Sequence, residues 1–176
     1  MLDLLAKRLE WDRPLDRGTG TIRRGRGIAI GIKACVSPTA SVAQVNVFGD
    51  GSCSVFCSTV DMGQGSDTVM AQIAGEILGV PAESIRVIHP DTDVTPYDMG
   101  TLGSRSTYHM GNAVRSAAED ARAQLLRIAA TSLNTNVDDL ECGDGAVSTR
   151  SGLRMSFREI MSVPLILVPT RSSSVR

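Results

Sequence analysis

The chain has 176 residues, of which 42% are hydrophobic and 21% are charged, as is typical of a globular domain with a real core. Its net charge of −1 argues against functions that need a basic surface, such as general binding to nucleic acid or to an anionic membrane. It contains no apolar run of about 18 residues, the length that a membrane-spanning helix needs. The first residues, Met1–Lys7, lack the basic and apolar regions of a secretion signal, so we expect a cytoplasmic location.

The N-terminal stretch predicts a short helix, a polar connector and a first strand. Leucines recur with helical spacing over residues 2–11, and residues 12–20 are rich in turn-forming residues. Three arginines within residues 23–26 form a basic cluster, which indicates either a solvated surface or a contact with a phosphate or a partner. Residues 28–32 then alternate between apolar and small residues in the manner of a strand.

A hairpin, a helix and a further strand are predicted next. Residues 41–60 alternate on both sides of the dipeptide Asp50-Gly51, which is the dipeptide preferred by a type I′ turn. Residues 66–78 carry an apolar stripe with helical period, and Gly79 is placed to end that helix. Residues 84–89 predict a short strand.

The second half of the chain predicts a loop over residues 90–96 and a long helix that starts between residues 106 and 112 and ends near Leu133. A second tight hairpin is expected over residues 140–148, around another Asp-Gly dipeptide. A last helix is expected over residues 155–161, with Ser156 as its N-cap.

These elements predict an α+β fold in which β-hairpins and a mixed sheet pack against helices. We expect three segments along the chain. An N-terminal helix and connector occupy residues 1–20, and the main folded segment occupies residues 21–161. A tail over residues 162–176 ends in a Ser/Arg-rich stretch of disordered composition.

The cysteines and histidines give no metal-binding pattern. They are Cys35, Cys53, Cys57, Cys142, His89 and His109. No CxxC pair is present, and Cys53 and Cys57 are too far apart along one extended strand to form a disulfide. We therefore expect the four thiols to be buried and to act as small hydrophobic groups. Neither histidine has a partner at ligand spacing, which favours local hydrogen bonding over metal ligation.

Two glycine-rich turns carry the strongest signal of a binding site. They are residues 61–66, with the sequence Asp-Met-Gly-Gln-Gly-Ser, and residues 100–106, with the sequence Gly-Thr-Leu-Gly-Ser-Arg-Ser. Each follows a predicted strand or loop and leads into a predicted helix, where backbone N–H groups and the helix dipole favour an anion. Hydroxyl groups and a cation in the second turn strengthen that interpretation. The alternative is that both are ordinary strand-to-helix connections closed by N-caps.

The longer pattern around these turns resembles one family. Its parts, in order, are Met62-Gly63-Gln64-Gly65, then residues 72–81, then Asp91-Thr92 with Pro96, then residues 100–107 and finally Gly111-Asn112-Ala113. Order and spacing resemble the molybdenum-binding large subunit of the xanthine dehydrogenase, aldehyde oxidase and aerobic carbon monoxide dehydrogenase family. The resemblance extends over approximately residues 20–160.

The resemblance implies that both turns bind a molybdopterin cofactor, in bacteria usually its cytosine dinucleotide form. The positions that match the family's cofactor-binding loops are Met62, Gly63, Gln64, Gly65, Thr101, Gly103, Ser104, Arg105, Ser106 and Thr107. The intact enzyme of this family hydroxylates an aldehyde, an N-heterocycle, an acyl-CoA thioester or CO. It passes electrons to iron–sulfur clusters and FAD on partner subunits. No protein ligand to the metal is expected, because the pterin dithiolene holds molybdenum.

The chain departs from the family in three respects. The catalytic glutamate in a Gly-x-Gly-Glu setting has no match, and neither have the Gly-Gly-Phe-Gly-type loop and the arginine-containing substrate loop. We therefore assign no catalytic residue, and we expect the isolated chain to be an inactive internal piece of a large subunit. It is either truncated or one part of a split subunit that needs a partner chain. An edge exposed by the missing part is expected to make the isolated chain poorly soluble.

Overall fold

The structure is a computed structural model that describes residues 2–35, 39–88 and 90–164. The chain divides into two compact units, Met1–Lys33 and Ala34–Arg176. Among the described residues, none of the helices combines the length and the apolar character needed to cross a bilayer.

The first unit contains one short helix, α1 (Leu2–Arg8), which is shorter than the predicted span of residues 2–11. The predicted strand over residues 28–32 is wrong, since these residues are irregular and Ile32 is 96% exposed. An alternating run forms a strand only when a neighbouring strand completes its hydrogen bonds, and the described part of this unit supplies none. An arginine of the basic cluster makes contacts within this unit: Arg26 donates to the carbonyl of Glu10 (2.7 Å), and its guanidinium lies over the ring of Trp11.

The second unit contains a three-stranded mixed sheet, formed by β1 (Gln44–Val47), β2 (Cys53–Phe56) and β3 (Ile85–Ile88). The strand order is β1-β2-β3, with β1 antiparallel and β3 parallel to the central strand. Since parallel neighbours need a crossover, the helix α2 (Ser66–Leu78) connects β2 to β3 and packs on the sheet. His89, the predicted end of β3, lies outside the described residues.

The β1–β2 turn differs from the predicted type I′ turn. A type I′ turn needs positive φ at both central residues, but Gly51 has φ +86° and Asp50 is not among the residues with positive φ. The Asp50 carboxylate instead accepts a hydrogen bond from the N–H of Ser52 at 2.9 Å. The turn is therefore a longer loop with one left-handed residue, closed by hydrogen bonds from the Gly51 N–H to the Phe48 carbonyl and from the Phe48 N–H to the Ser52 carbonyl.

A second sheet is antiparallel throughout, with the order β4 (Leu140–Gly143), β5 (Ala146–Thr149) and β6 (Arg154–Ser156). Its first turn has φ +50° at Asp144 and φ +67° at Gly145, so the positive φ required of a type I′ turn is present here at both central residues. The strand β6 was not predicted, because three residues are too few to show alternation.

The long helix α3 (Gly111–Leu133) packs against α2, β1 and β4 and supplies much of the core. The side chains of Val114, Ala118 and Ala129 are fully buried. Small residues let the two helices approach closely, and a Cβ at Gly111 would lie 2.9 Å from Ile73 Cδ1. The two sheets with these helices confirm the predicted α+β class.

The final helix, α4 (Phe157–Met161), has the predicted N-cap. Ser156 accepts a hydrogen bond from the N–H of Glu159, whose carboxylate accepts one from the Ser156 N–H, so the capping box is complete. Phe157 and Ile160 attach this helix to the core, each only 1% exposed.

The four cysteines are free thiols with different exposures. Cys53 and Cys57 are buried, as predicted, and Cys142 is half-buried. Cys35 is exposed, so the prediction was wrong for this residue. It precedes the first strand of its unit, outside the alternating stretch that faces the core, and its thiol donates to the carbonyl of Ser104 at 3.1 Å.

Candidate functional site

The two glycine-rich turns lie side by side in the second unit. The first loop (residues 60–66) runs from the end of the central strand into α2, and the second loop (residues 98–107) leads into α3 through a π-helical turn, Ser106–Met110. The hydroxyl of Thr101 joins them, because it accepts from the N–H of Val60 and donates to its carbonyl, both at 2.8 Å. The structure therefore brings together loops that lie about 40 residues apart in sequence.

The N-terminus of α2 is occupied by a carboxylate of the chain itself. Asp61 accepts hydrogen bonds from the N–H groups of Gly63 (2.8 Å), Gly65 (3.4 Å) and Asp67 (3.3 Å). The hydrogen bond from Gly63 is the largest influence on the pKa of Asp61, which is lowered. The amides that we expected to point outward thus already hold an anionic group, as the positive end of a helix favours.

The side chain of Gln64 is exposed and folds back over its own loop. Its Oε1 accepts from the N–H of Met62 at 2.5 Å, and its Nε2 donates to the carbonyl of Val60 at 3.0 Å. Gly65 has φ +78°, and a Cβ at this position would meet nothing within 4 Å, so the outer side of the loop is open. An amide with donor and acceptor atoms therefore stands at the mouth of the site.

The second loop presents hydroxyl groups at the start of the long helix. Gly103 and Ser104 both have positive φ, 59° and 61°, which turns the chain sharply before the helix begins. Ser104 and Thr107 are exposed and Ser106 is half-buried. Among the residues that the structure describes, no side-chain hydrogen bond uses these three hydroxyls, which leaves them able to donate to phosphate oxygens.

A pocket of about 370 Å³ opens beside this hydroxyl cluster. The residues that line it are Ile73, Ser104, Thr107, Tyr108, Gly111, Asn112 and Arg115. Hydroxyls, an amide and a guanidinium around an apolar floor suit a ligand with an anionic group and a ring system. The donor set of the second loop thus fits a pterin phosphate.

Arg105 is buried, whereas the hydroxyl-bearing residues next to it are exposed or half-buried. It is paired with Asp98 at 2.6 Å, and each side chain is only 1% exposed. Burial would by itself raise the pKa of Asp98, but hydrogen bonds from Arg105, Ser41 and the Gly100 N–H lower it overall. Of the ten residues expected at the site, Arg105 alone is buried.

Sequence reasoning missed Asp61 and Asp98, although a signal was present. Both begin the tripeptide Asp-Met-Gly, and in both loops the carboxylate accepts a hydrogen bond from the glycine two residues later. An Asp at this offset before Gly is the pattern of an Asx turn. The repeated tripeptide marks the start of each binding loop.

The remaining polar groups near the site give no metal centre. His109 packs edge-on against Tyr108, with ring centroids 5.1 Å apart, and its backbone N–H donates to the Arg105 carbonyl. Thr59, just before the first loop, and Ser66, at its end, bury hydroxyls that have no hydrogen-bond partner among the residues that the structure describes. Within the described part of the chain, no group of three or more His, Cys, Asp or Glu side chains could hold a metal ion.

A mixed sheet and two long helices carry the two adjacent loops, and the second of these loops presents hydroxyls that can bind an anion. The sequence profile of the molybdopterin cofactor-binding domain matches residues 4–171. The chain therefore belongs to this family, the molybdenum-binding part of the xanthine dehydrogenase and carbon monoxide dehydrogenase group. The match continues beyond residue 161, where we predicted that the folded segment ends.

Related proteins agree with this membership. A putative xanthine dehydrogenase molybdenum-binding subunit of Escherichia coli (strain K12) is 35% identical over 147 residues, covering 76% of this chain and 19% of the relative. The carbon monoxide dehydrogenase large chain of Hydrogenophaga pseudoflava is 40% identical over 98 residues, covering 56% of this chain and 12% of the relative.

Solved structures show the same fold. The crystal structure of quinoline 2-oxidoreductase from Pseudomonas putida 86 superposes with a TM-score of 0.64 at 30% identity, covering 71% of this chain and 16% of that chain. The present chain thus spans less than a fifth of the length of each of these three proteins.

Proposed function

We propose that the two loops together hold the phosphate end of a molybdopterin, in its cytosine dinucleotide form. The observation that carries the proposal is the pair of hydrogen bonds between Thr101 and Val60, because it fixes both loops into one site. Membership in the family supports the cofactor's identity. The expected contacts are Met62, Gly63, Gln64, Gly65, Thr101, Gly103, Ser104, Ser106 and Thr107, with Arg105 behind the loop.

The two loops have different tasks in this proposal. Since Asp61 already occupies the amides at the start of α2, the phosphate is bound by the hydroxyls of Ser104, Ser106 and Thr107. Gln64 then contributes through its side-chain amide, which exchanges its present hydrogen bonds within the loop for contacts to the pterin. Thr101, by its hydrogen bonds to Val60, keeps the amide of Gln64 at a constant distance from the hydroxyls of the second loop.

When bound, the cofactor supplies the oxygen-transfer and two-electron chemistry of a molybdenum hydroxylase, while the protein binds and orients it. The chain is then one part of an oxidoreductase whose iron–sulfur clusters and FAD lie on partner subunits. Its substrate belongs to the aldehydes, N-heterocycles, acyl-CoA thioesters or CO. The cytoplasmic location stays a prediction.

A second candidate function is a catalytically inactive fragment that needs a partner chain. It is favoured by the absence of a match to the catalytic glutamate setting within these 176 residues. It predicts no turnover of an aldehyde or an N-heterocycle by the isolated chain, even with cofactor and an artificial electron acceptor. Turnover under these conditions would reject it.

The proposal is tested by anaerobic equilibrium binding of molybdopterin to the full 176-residue chain. The double variant Ser104→Ala/Ser106→Ala should bind at least about tenfold more weakly, because hydrogen bonds to a charged group contribute about 1.5–3 kcal/mol each. Ser151→Ala, an exposed serine in the second sheet's last turn, is the matched control and should bind like the wild type.

Two results would reject the proposal. One is a folded wild-type chain, verified by circular dichroism, that binds no molybdopterin. The other is equal binding by the wild type and the double variant. The first result would favour the inactive fragment.

A further inference from the structure

We propose that Arg105 and Asp98 are a positioning pair, which sets the orientation of the second loop's hydroxyls without contacting the ligand. The inference rests on the proposed function, since it assigns the hydroxyls of Ser104, Ser106 and Thr107 to phosphate binding. It changes the role of Arg105 from a surface cation to an internal anchor.

The pair connects three stretches of chain. Arg105 Nη1 donates to Asp98 Oδ2 at 2.6 Å and to the carbonyl of Gly100 at 3.2 Å. Its Nη2 donates to Ser41 Oγ at 2.8 Å and to the carbonyl of Thr39 at 3.3 Å. Ser41 Oγ in turn donates to Asp98 Oδ1 at 2.7 Å, which closes the network. The start of the second loop, its end and the segment before β1 are thereby held by one side chain.

The network acts where the backbone is strained. Ser104 has φ +61°, a left-handed conformation that is unfavourable for a residue with a side chain. Arg105 follows directly, and its carbonyl accepts from the N–H of His109 at 2.7 Å as the helical segment begins. An inward anchor at this point fixes the backbone that carries the flanking hydroxyls, since Arg105 lies between Ser104 and the helical segment that begins at Ser106.

The burial of the ion pair also indicates that it positions the second loop and adds little to the stability of the fold. Removing two charges from water offsets much of their attraction, so a buried ion pair adds little net stability. Removing one partner, in contrast, leaves an uncompensated charge in the interior. Arginine suits the role because its planar fork reaches several acceptors at once, whereas a lysine has a single ammonium group.

The first test measures hydrogen exchange in the full chain without any cofactor. In Arg105→Lys, the amides of Gly100, Arg105 and His109 should exchange at least tenfold faster than in the wild type. Asp98→Asn should accelerate the same amides. Arg127→Lys, at an exposed position on α3, is the matched control and should leave them unchanged.

The second test measures molybdopterin binding and chemical rescue. Arg105→Lys and Asp98→Asn should each weaken binding at least tenfold, while circular dichroism shows that both remain folded. In Arg105→Ala, guanidinium at tens of millimolar should restore at least half of the lost affinity, and ammonium at the same ionic strength should not. Circular dichroism with and without the added cation separates a rescue of binding from a rescue of folding.

The outcomes separate this inference from the function on which it rests. If Ser104→Ala/Ser106→Ala weakens binding but Arg105→Lys changes neither exchange nor binding, the positioning role is overturned and the proposed function stands. If the wild type binds no molybdopterin, the proposed function is overturned, whatever the exchange rates show. If Arg105→Ala fails to fold, the lysine and asparagine variants decide between these results.

Discussion

A methyl group added at Gly79 should test how closely the end of α2 packs against the β4–β5 hairpin. It ends α2 with φ +68°, and its carbonyl accepts a hydrogen bond from the N–H of Asp144 at 2.6 Å. A Cβ at this position would lie 2.7 Å from the carbonyl oxygen of Cys142 and 2.8 Å from Gly143 Cα. Both are backbone atoms of the β4–β5 hairpin, so no side-chain rotation relieves the clash.

Gly145 provides a control with nearly the same backbone angle. Its φ is +67°, but a Cβ at this position would meet nothing within 4 Å. Gly145→Ala therefore measures the left-handed strain alone, about 1–2 kcal/mol, less the roughly 0.4–1 kcal/mol gained from a stiffer unfolded chain. Gly79→Ala adds the cost of overpacking, about 1–3 kcal/mol.

The assay is urea unfolding followed by far-ultraviolet circular dichroism. Tryptophan fluorescence is unsuitable, since Trp11 lies in the first unit. We expect Gly79→Ala to lower the free energy of unfolding by about 1–3 kcal/mol more than Gly145→Ala, with an unchanged denaturant slope. Equal destabilisation of the two variants, within about 0.5 kcal/mol, would refute the close approach of α2 to the hairpin.

Three further predictions concern thiols, a helix cap and a loop carboxylate. A thiol-specific disulfide reagent should modify Cys35 in the native chain and leave Cys53 unmodified. Cys35 is exposed, whereas burial raises the pKa of Cys53 to about 11. Equal rates of modification for the two thiols would contradict the burial of Cys53. Ser156→Ala should lower the free energy of unfolding by about 1 kcal/mol in the same urea assay through loss of the capping box, and an unchanged midpoint would argue against the cap. Asp61→Asn should lower the melting temperature at pH 7, because the amides that lower the pKa of Asp61 stabilise its charged form. This difference should vanish as the pH falls below the folded-state pKa of Asp61, and a difference that persists there would reject the explanation.

The two loops illustrate how one local motif serves two purposes. In both, an Asp-Met-Gly tripeptide forms an Asx turn. In the first loop the carboxylate of Asp61 also accepts a hydrogen bond from the first turn of α2, whereas in the second loop the carboxylate of Asp98 pairs with the buried guanidinium of Arg105. The amides of the first loop are therefore already occupied by a carboxylate, whereas the hydroxyls of the second loop are open to a ligand, and for this reason our proposal assigns phosphate binding to the second loop.

Local signals in the sequence determined most of the elements near the site. The helix α2 was predicted with its observed bounds because its apolar period, its left-handed glycine cap and its sheet-side stripe depend on neighbours within one or two turns. The capping box of Ser156 was predictable for the same reason. The ordered pattern of the two glycine-rich loops also sufficed to indicate the family.

Tertiary structure alone decided the features that depend on distant residues. The alternating run over residues 28–32 did not become a strand, since alternation does not reveal whether a partner strand is present. Arg105 has the chemistry of a phosphate ligand in sequence, yet Ser41, 64 positions away, and Asp98 hold its side chain inside the fold. The two glycine-rich loops lie side by side in the fold, where the hydroxyl of Thr101 forms hydrogen bonds with the backbone of Val60, 41 positions away. Residue type sets what a side chain can bind, but which partners reach it is set by how the whole chain packs.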